Sequence, residues 1–145
     1  MKKINLIFII FFTLSCMAKI SISQNKDLIL ENKTYDKNIY TVLLHKTGNQ
    51  LSYPIFYLNS EETITLSFDD FNNNLQDYYY TIIHCNYDWT ESDLMSSEYI
   101  DGFFENRIED YDFSFNTLKK YTHYKLVLPN EYLHPILSGN YIIKV

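Results

Sequence analysis

The sequence predicts an all-β protein, an antiparallel β-sandwich of about seven strands with an immunoglobulin-like or fibronectin-like layout. Three observations predict it. The 145 residues include 14 Tyr and 10 Phe but a single Ala, Ala18, so strand formers abound and the best helix former is almost missing. Several short runs alternate apolar and polar side chains with a period of two. Clusters of Asn, Asp, Ser and Gly separate most of those runs, and these residues favour turns. The marks of a true immunoglobulin domain are absent, because no Cys pair brackets the one Trp.

The elements follow in chain order. Lys2 and Lys3 precede an apolar run from Ile4 to Leu14, too short for the ~20 residues that span a bilayer and suited to an export signal. Ser21, Ile22 and Ser23 supply the small residues of a cleavage site, so residues 1–23 read as a signal peptide and 24–145 as the mature domain. Cys16 offers a lipid-anchoring alternative, although Thr13 stands where a lipoprotein signal usually has a bulky apolar residue. Residues 24–38 are polar and weakly patterned. Ile39 to His45 reads as a strand, Thr47-Gly48-Asn49 as a turn, and Tyr53 to Leu58 as an edge strand opened by Pro54. Thr63 to Phe68 alternates cleanly, with Ile64, Leu66 and Phe68 on one face. Tyr78 to Cys85 is apolar on both faces, as in a central strand covered on both sides.

Residues 86–110 form an acidic, aromatic connection too long for an ordinary loop. Asp93 to Tyr99 fits a short helical turn with Asp93 near its start. Phe113 and Phe115 alternate with Ser114 and Asn116, and Tyr124, Leu126 and Leu128 alternate with His123, Lys125 and Val127. Ser138-Gly139-Asn140 turns into a last strand that places Tyr141, Ile143 and Val145 on one face. That strand runs into the final residue, so the chain reads as cut at a domain boundary.

Charge is unevenly placed. Residues 61–112 carry 14 acidic side chains and one basic one, Arg107. A net-acidic exported domain is a poor partner for nucleic acid or anionic lipid, whose binding needs Lys and Arg. Chemistry is equally hard to place. The four His lie at no metal-binding spacing, and adjacent His84 and Cys85 point to opposite faces of a strand. Cys85 is expected to be a buried, inert thiol. The run from Asp70 to Asn74 copies the start of a calcium loop, but Leu75 and Thr81 stand where Gly and Glu are needed. No nucleophile elbow or phosphate loop occurs, and no catalytic residue, metal ligand or cofactor site is assigned. What remains is recognition. Trp89, Glu91, Tyr99, Asp101, Phe103 and Phe104 put aromatic anchors beside acids and are the candidate partner-binding residues. Phe103 and Phe104 are adjacent, so at most one points inward from an extended chain.

The same segments carry a resemblance. Tyr78 to Asn86, then Asp88-Trp89-Thr90, resemble the N-terminal domain of the type IX secretion system plug protein. So do Ser97 to Phe103, Tyr111 to Thr117, Tyr121 to Tyr124, Pro129-Asn130 and Ser138 to Tyr141, with Leu51 to Pro54 and Leu66 to Asp70 before them. The resemblance covers about Ile39 to Val145. It implies a non-enzymatic periplasmic protein of Bacteroidota, associated with the outer membrane and without a membrane span of its own. Its implied partner is the outer-membrane translocon barrel, whose periplasmic end it would close, and members continue into further domains. A carbohydrate-binding β-sandwich is the competing reading, because exposed aromatics also stack on sugars.

Overall fold

The computed structural model describes residues 32–145 except Asn73, so the signal segment and Cys16 lie outside the described residues. Strands dominate: β1 (Ile39–Lys46), β2 (Ile64–Asp70), β3 (Tyr79–Cys85), β4 (Ile100–Gly102), β5 (Asn106–Arg107), β6 (Asp110–Phe113), β7 (Thr122–Leu128), β8 (Leu133–Pro135) and β9 (Asn140–Lys144). One helical turn, α1 (Ser96–Tyr99), precedes β4. All pairings are antiparallel. One sheet runs β1-β2-β7-β6, a second runs β5-β3-β9, and β4 pairs with β8. The architecture is an all-β sandwich.

The alternation read in the sequence decides which side chains fill it. Ile64, Leu66 and Phe68 of β2 meet Tyr124, Leu126 and Leu128 of β7, which lie opposite in register Phe68↔Tyr124, Leu66↔Leu126 and Ile64↔Leu128. From the second sheet come Tyr80 and Ile82, with Tyr141 and Ile143 of β9 packed against the cluster. Tyr99, Ile100, Ile108 and Leu133 close it from the long connection and from β8. Tyr124 is fully buried at its centre, stacked on Phe68 at 5.2 Å and edge-on to Tyr78 at 4.8 Å. Its hydroxyl donates to the carbonyl of Gln76 and accepts from the Gln76 N–H, so burying the polar tip leaves nothing unpaired.

Three differences from the sequence expectation have local causes. No strand forms between Tyr53 and Leu58. Pro54 offers no N–H to a ladder, the Ile55 N–H bonds back to the Tyr53 carbonyl at 2.8 Å, and serine turns fold both ends. The strand placed around Phe113 and Phe115 sits earlier, at Asp110–Phe113, and both phenylalanines are exposed. Met95 rather than Asp93 stands at the boundary of α1, where its N–H donates to Glu98 Oε2 at 2.7 Å. The short β4, β5 and β8 were not foreseen. At the start of the calcium-like run Asp70 is fully buried, accepting from the Tyr78 hydroxyl at 2.9 Å and from the Asn72 N–H at 2.7 Å.

Candidate functional site

The 86–110 connection runs alongside β3, meeting it at Cys85 through Glu91 and at Tyr79 and Tyr80 through β5, and its local chemistry fixes what it displays. The Asn86 N–H donates to the Thr90 carbonyl and the Trp89 N–H to the Asn86 carbonyl, closing a tight turn. Asp88 accepts from the Thr90 N–H and hydroxyl, and those bonds hold its carboxyl below the usual range. The turn forces Trp89 to φ +66°, and its indole is half exposed, at 48%. A left-handed conformation at a bulky residue costs about 1–2 kcal/mol. Glu91 then bridges Cys85, and the Ser92 N–H donates to the His84 carbonyl, so the chain returns alongside β3.

Beyond α1 the candidates divide. Tyr99 is only 5% exposed and belongs to the core, so it supports the surface from beneath while forming part of the lining of a groove on β3. Burial pushes its phenol above the ordinary value. Asp101 lies on β4 opposite His134, exposed. Gly102 has φ +117° and packs against the Tyr132 backbone, where no other residue fits. The chain then turns outward, and Phe103 and Phe104 are 68% and 52% exposed, so neither points inward. Glu91 and Phe104 share one groove on β3, whereas Phe103 and Asp101 are held at the β4–β8 ladder. Five of the six candidates are therefore on the surface. Cys85 is buried, which raises its thiol pKa, and it has no disulfide partner among the described residues.

A second apolar surface escaped the sequence reading. Leu51, Tyr53, Ile55 and Tyr57 are exposed in the connection between β1 and β2, and Tyr40, Val42, Leu43 and Leu44 are exposed on β1, an edge strand. The pairing of β1 with β2 shifts between Tyr40 and Leu43, where Thr41 takes φ +52°. The signal was present in the sequence as an apolar run interrupted by Pro54, which marks an edge as well as a strand opening.

Among the described residues no three His, Cys, Asp or Glu side chains gather into a metal-binding group, and no helix is long and apolar enough to cross a membrane. The fold is thus an all-β sandwich whose distinctive side chains sit in its outer connections. Residues 39–145 match the family described as type 9 secretion system plug protein 1st domain, and the chain belongs to that family. The family is a structural component of a secretion system and not a known enzyme family. A solved structure of a hypothetical protein from Parabacteroides merdae is similar, at 38% identity and a TM-score of 0.72 over 74% of this chain. The chain spans 27% of that protein's length. No curated protein matches it.

Proposed function

We propose that this domain is a non-enzymatic, periplasmic part of the plug that closes the periplasmic end of the outer-membrane translocon channel. The observation that carries the reading is the family match over residues 39–145, which makes the domain a type IX secretion component. The surface of the 86–110 connection supports a docking role. Trp89, Phe103 and Phe104 expose large aromatic area on a backbone held by the turn bonds and by the β4–β8 ladder, so little freedom is lost when a partner covers them. Glu91 and Asp101 flank them as acidic rim groups, which contribute to orientation and encounter more than to affinity. Tyr99 fixes the connection from inside.

The test is co-purification of the tagged, full-length protein with the translocon barrel in mild detergent. The reading expects the barrel to be recovered with wild type, and recovery to fall at least about tenfold for Trp89→Ala combined with Phe103→Ala. Absence of the barrel from wild-type preparations in several detergents contradicts it.

A further inference from the structure

Strands β6 and β7 are joined by the loop 114–121, whose base is locked. The Ser114 N–H donates to the Tyr121 carbonyl and the Tyr121 N–H to the Ser114 hydroxyl, both at 2.9 Å. Asn116 turns the chain at φ +55°, and the Thr117 hydroxyl donates to the Lys119 carbonyl. This backbone leaves Phe115 92% exposed and Leu118 fully exposed, with Phe113 largely exposed where β6 ends. Single exposed apolar side chains are ordinary, but three on one short, internally bonded loop and its strand end mark a contact surface.

The same loop is basic in an acidic chain. The net charge is −6, yet residues 113–130 hold Lys119, Lys120 and Lys125 and no Asp or Glu. Lys125 lies 3.9 Å from Asp110, whereas Lys119 and Lys120 have no ion pair among the described residues. Lys119 is held back from the tip, its Nζ 4.6 Å over the ring of Phe71. Phe71 in turn packs on Tyr121 at 5.3 Å and on the half-exposed Tyr40 at 5.2 Å. Of the acids on β2 and β6, Asp69 lies 2.7 Å from the His123 ring, Asp110 faces Lys125 and Asp70 is buried. Asp112 is left, against two Lys. Most acids of 86–110 lie on the connection beside β3, in the other sheet, and salt screens exposed charges beyond about 8 Å.

We propose that the loop 114–121 is a membrane-contact site, where Phe115 and Leu118 enter the interface of a bilayer and Lys119 and Lys120 meet its anionic headgroups. A bilayer surface offers an apolar interior and negative charge one layer apart, and the loop matches that order. Phe115 and Leu118 stand at the tip, and Lys119 sits behind them on Phe71. Tyr40 and Tyr121 lie at the base, each with an apolar ring and a polar hydroxyl suited to headgroup depth. The acidity of the whole domain opposes adhesion over its full surface and leaves this one tip. Two apolar side chains and two Lys bind more weakly than one acyl chain, so the contact orients a domain that another interaction holds. It is independent of the docking reading of the 86–110 face.

The probe is a vesicle of phosphatidylethanolamine with phosphatidylglycerol, sedimented with the chain from Gln24 onward. Omitting residues 1–23 removes the apolar run 4–14 and Cys16, each of which offers its own route to a membrane. Half of the protein should sediment near about 1 mM accessible lipid, with binding at least about fivefold weaker to neutral phosphatidylcholine. Phe115→Ser with Leu118→Ser should weaken binding at least about tenfold, and Lys119→Gln with Lys120→Gln at least about fivefold. Leu51→Ser with Tyr53→Ser, on the other exposed apolar surface, should bind as wild type. All six side chains are exposed or nearly so, and an unchanged circular dichroism spectrum confirms each fold. No sedimentation up to about 10 mM lipid, equal binding to phosphatidylcholine, or full binding by folded Phe115→Ser with Leu118→Ser overturns the proposal. Loss of binding in Leu51→Ser with Tyr53→Ser also overturns it, because the lipid contact then lies between β1 and β2. If the vesicles fail while the full-length protein still recovers the translocon, the lipid contact is wrong and the docking reading stands. If the vesicles bind and the translocon is not recovered, the lipid contact stands and the docking reading falls.

Discussion

Gly139→Ala tests the packing that joins the last strand to the long connection. Gly139 precedes β9, and a Cβ there would fall on Nε2 of His84, with Cδ2 at 2.9 Å and Cε1 at 3.2 Å. The imidazole has little room to give way. Its Nδ1 is 2.9 Å from the Ser92 hydroxyl, Tyr141 meets it edge-on at 5.2 Å, and Tyr99 lies at 5.7 Å on a tilted ring. Its Nε2 is buried with no hydrogen-bond partner among the described residues. Forcing one methyl into such a site costs about 1–3 kcal/mol. Restricting the unfolded chain offsets about 0.4–1 kcal/mol, because the φ of Gly139 is one that alanine tolerates. The expected net loss is about 1–2 kcal/mol by urea unfolding. In a His84→Ala background the methyl enters vacated space, and Gly139→Ala should be neutral or slightly stabilising. The coupling energy of the cycle should therefore be about 1–3 kcal/mol. Equal losses in the two backgrounds would falsify the claim that His84 is what keeps position 139 a glycine.

The remaining predictions concern other parts of the same frame. Gly102→Ala should cost about 3 kcal/mol or more in urea unfolding, because φ +117° suits only glycine and its methyl would meet the Tyr132 backbone. A loss below about 1 kcal/mol would mean that the β4–β8 ladder yields easily. Trp89→Gly should leave stability unchanged or raise it by up to about 1 kcal/mol, since glycine accepts φ +66° without strain, while translocon recovery falls. A clear loss of stability would show the indole to be structural. Tyr141 gives a pH signature. Burial pushes its phenol up from 10.0 to about 12, with Tyr99 adding to the effect. Its stabilisation is complete below the unfolded value of about 10 and fades as pH rises through about 12. Urea midpoints should therefore fall more steeply from pH 10 upward in wild type than in Tyr141→Phe, and parallel curves would count against it.

The sheet-forming half of the molecule was legible because its signal is local. Ile64, Leu66 and Phe68, then Tyr124, Leu126 and Leu128, repeat every second residue and face one core. Tyr78 to Cys85 lacks that period, and its apolar character on both faces placed β3 centrally, between β5 and β9. The strands that escaped are β4, β5 and β8, two or three residues each. Such pieces have no period to read, and only a distant partner defines them: Ile100 finds Pro135, and Tyr79 finds Arg107. Tyr53 to Leu58 misled for the opposite reason. Its composition suits a strand, but local bonds around Pro54 win and leave Tyr53, Ile55 and Tyr57 outside. The candidate surface was read from an ordered string of aromatics and acids, which gives neighbours in sequence without saying which way each faces. Trp89, Phe103 and Phe104 face out, while Tyr99, on the helical turn before β4, faces in.

The central claim is that this domain docks onto the secretion translocon through the exposed aromatics of residues 86–110. The most direct measurement is site-specific photocrosslinking in cells of the full-length protein, with a crosslinking amino acid at position 89 or 104 and, as a control, at position 115 in the connection between β6 and β7. The account predicts crosslinks to the translocon barrel from 89 and 104 and none from 115. Crosslinks from 115 alone, or none from any position while the barrel co-purifies, would contradict it.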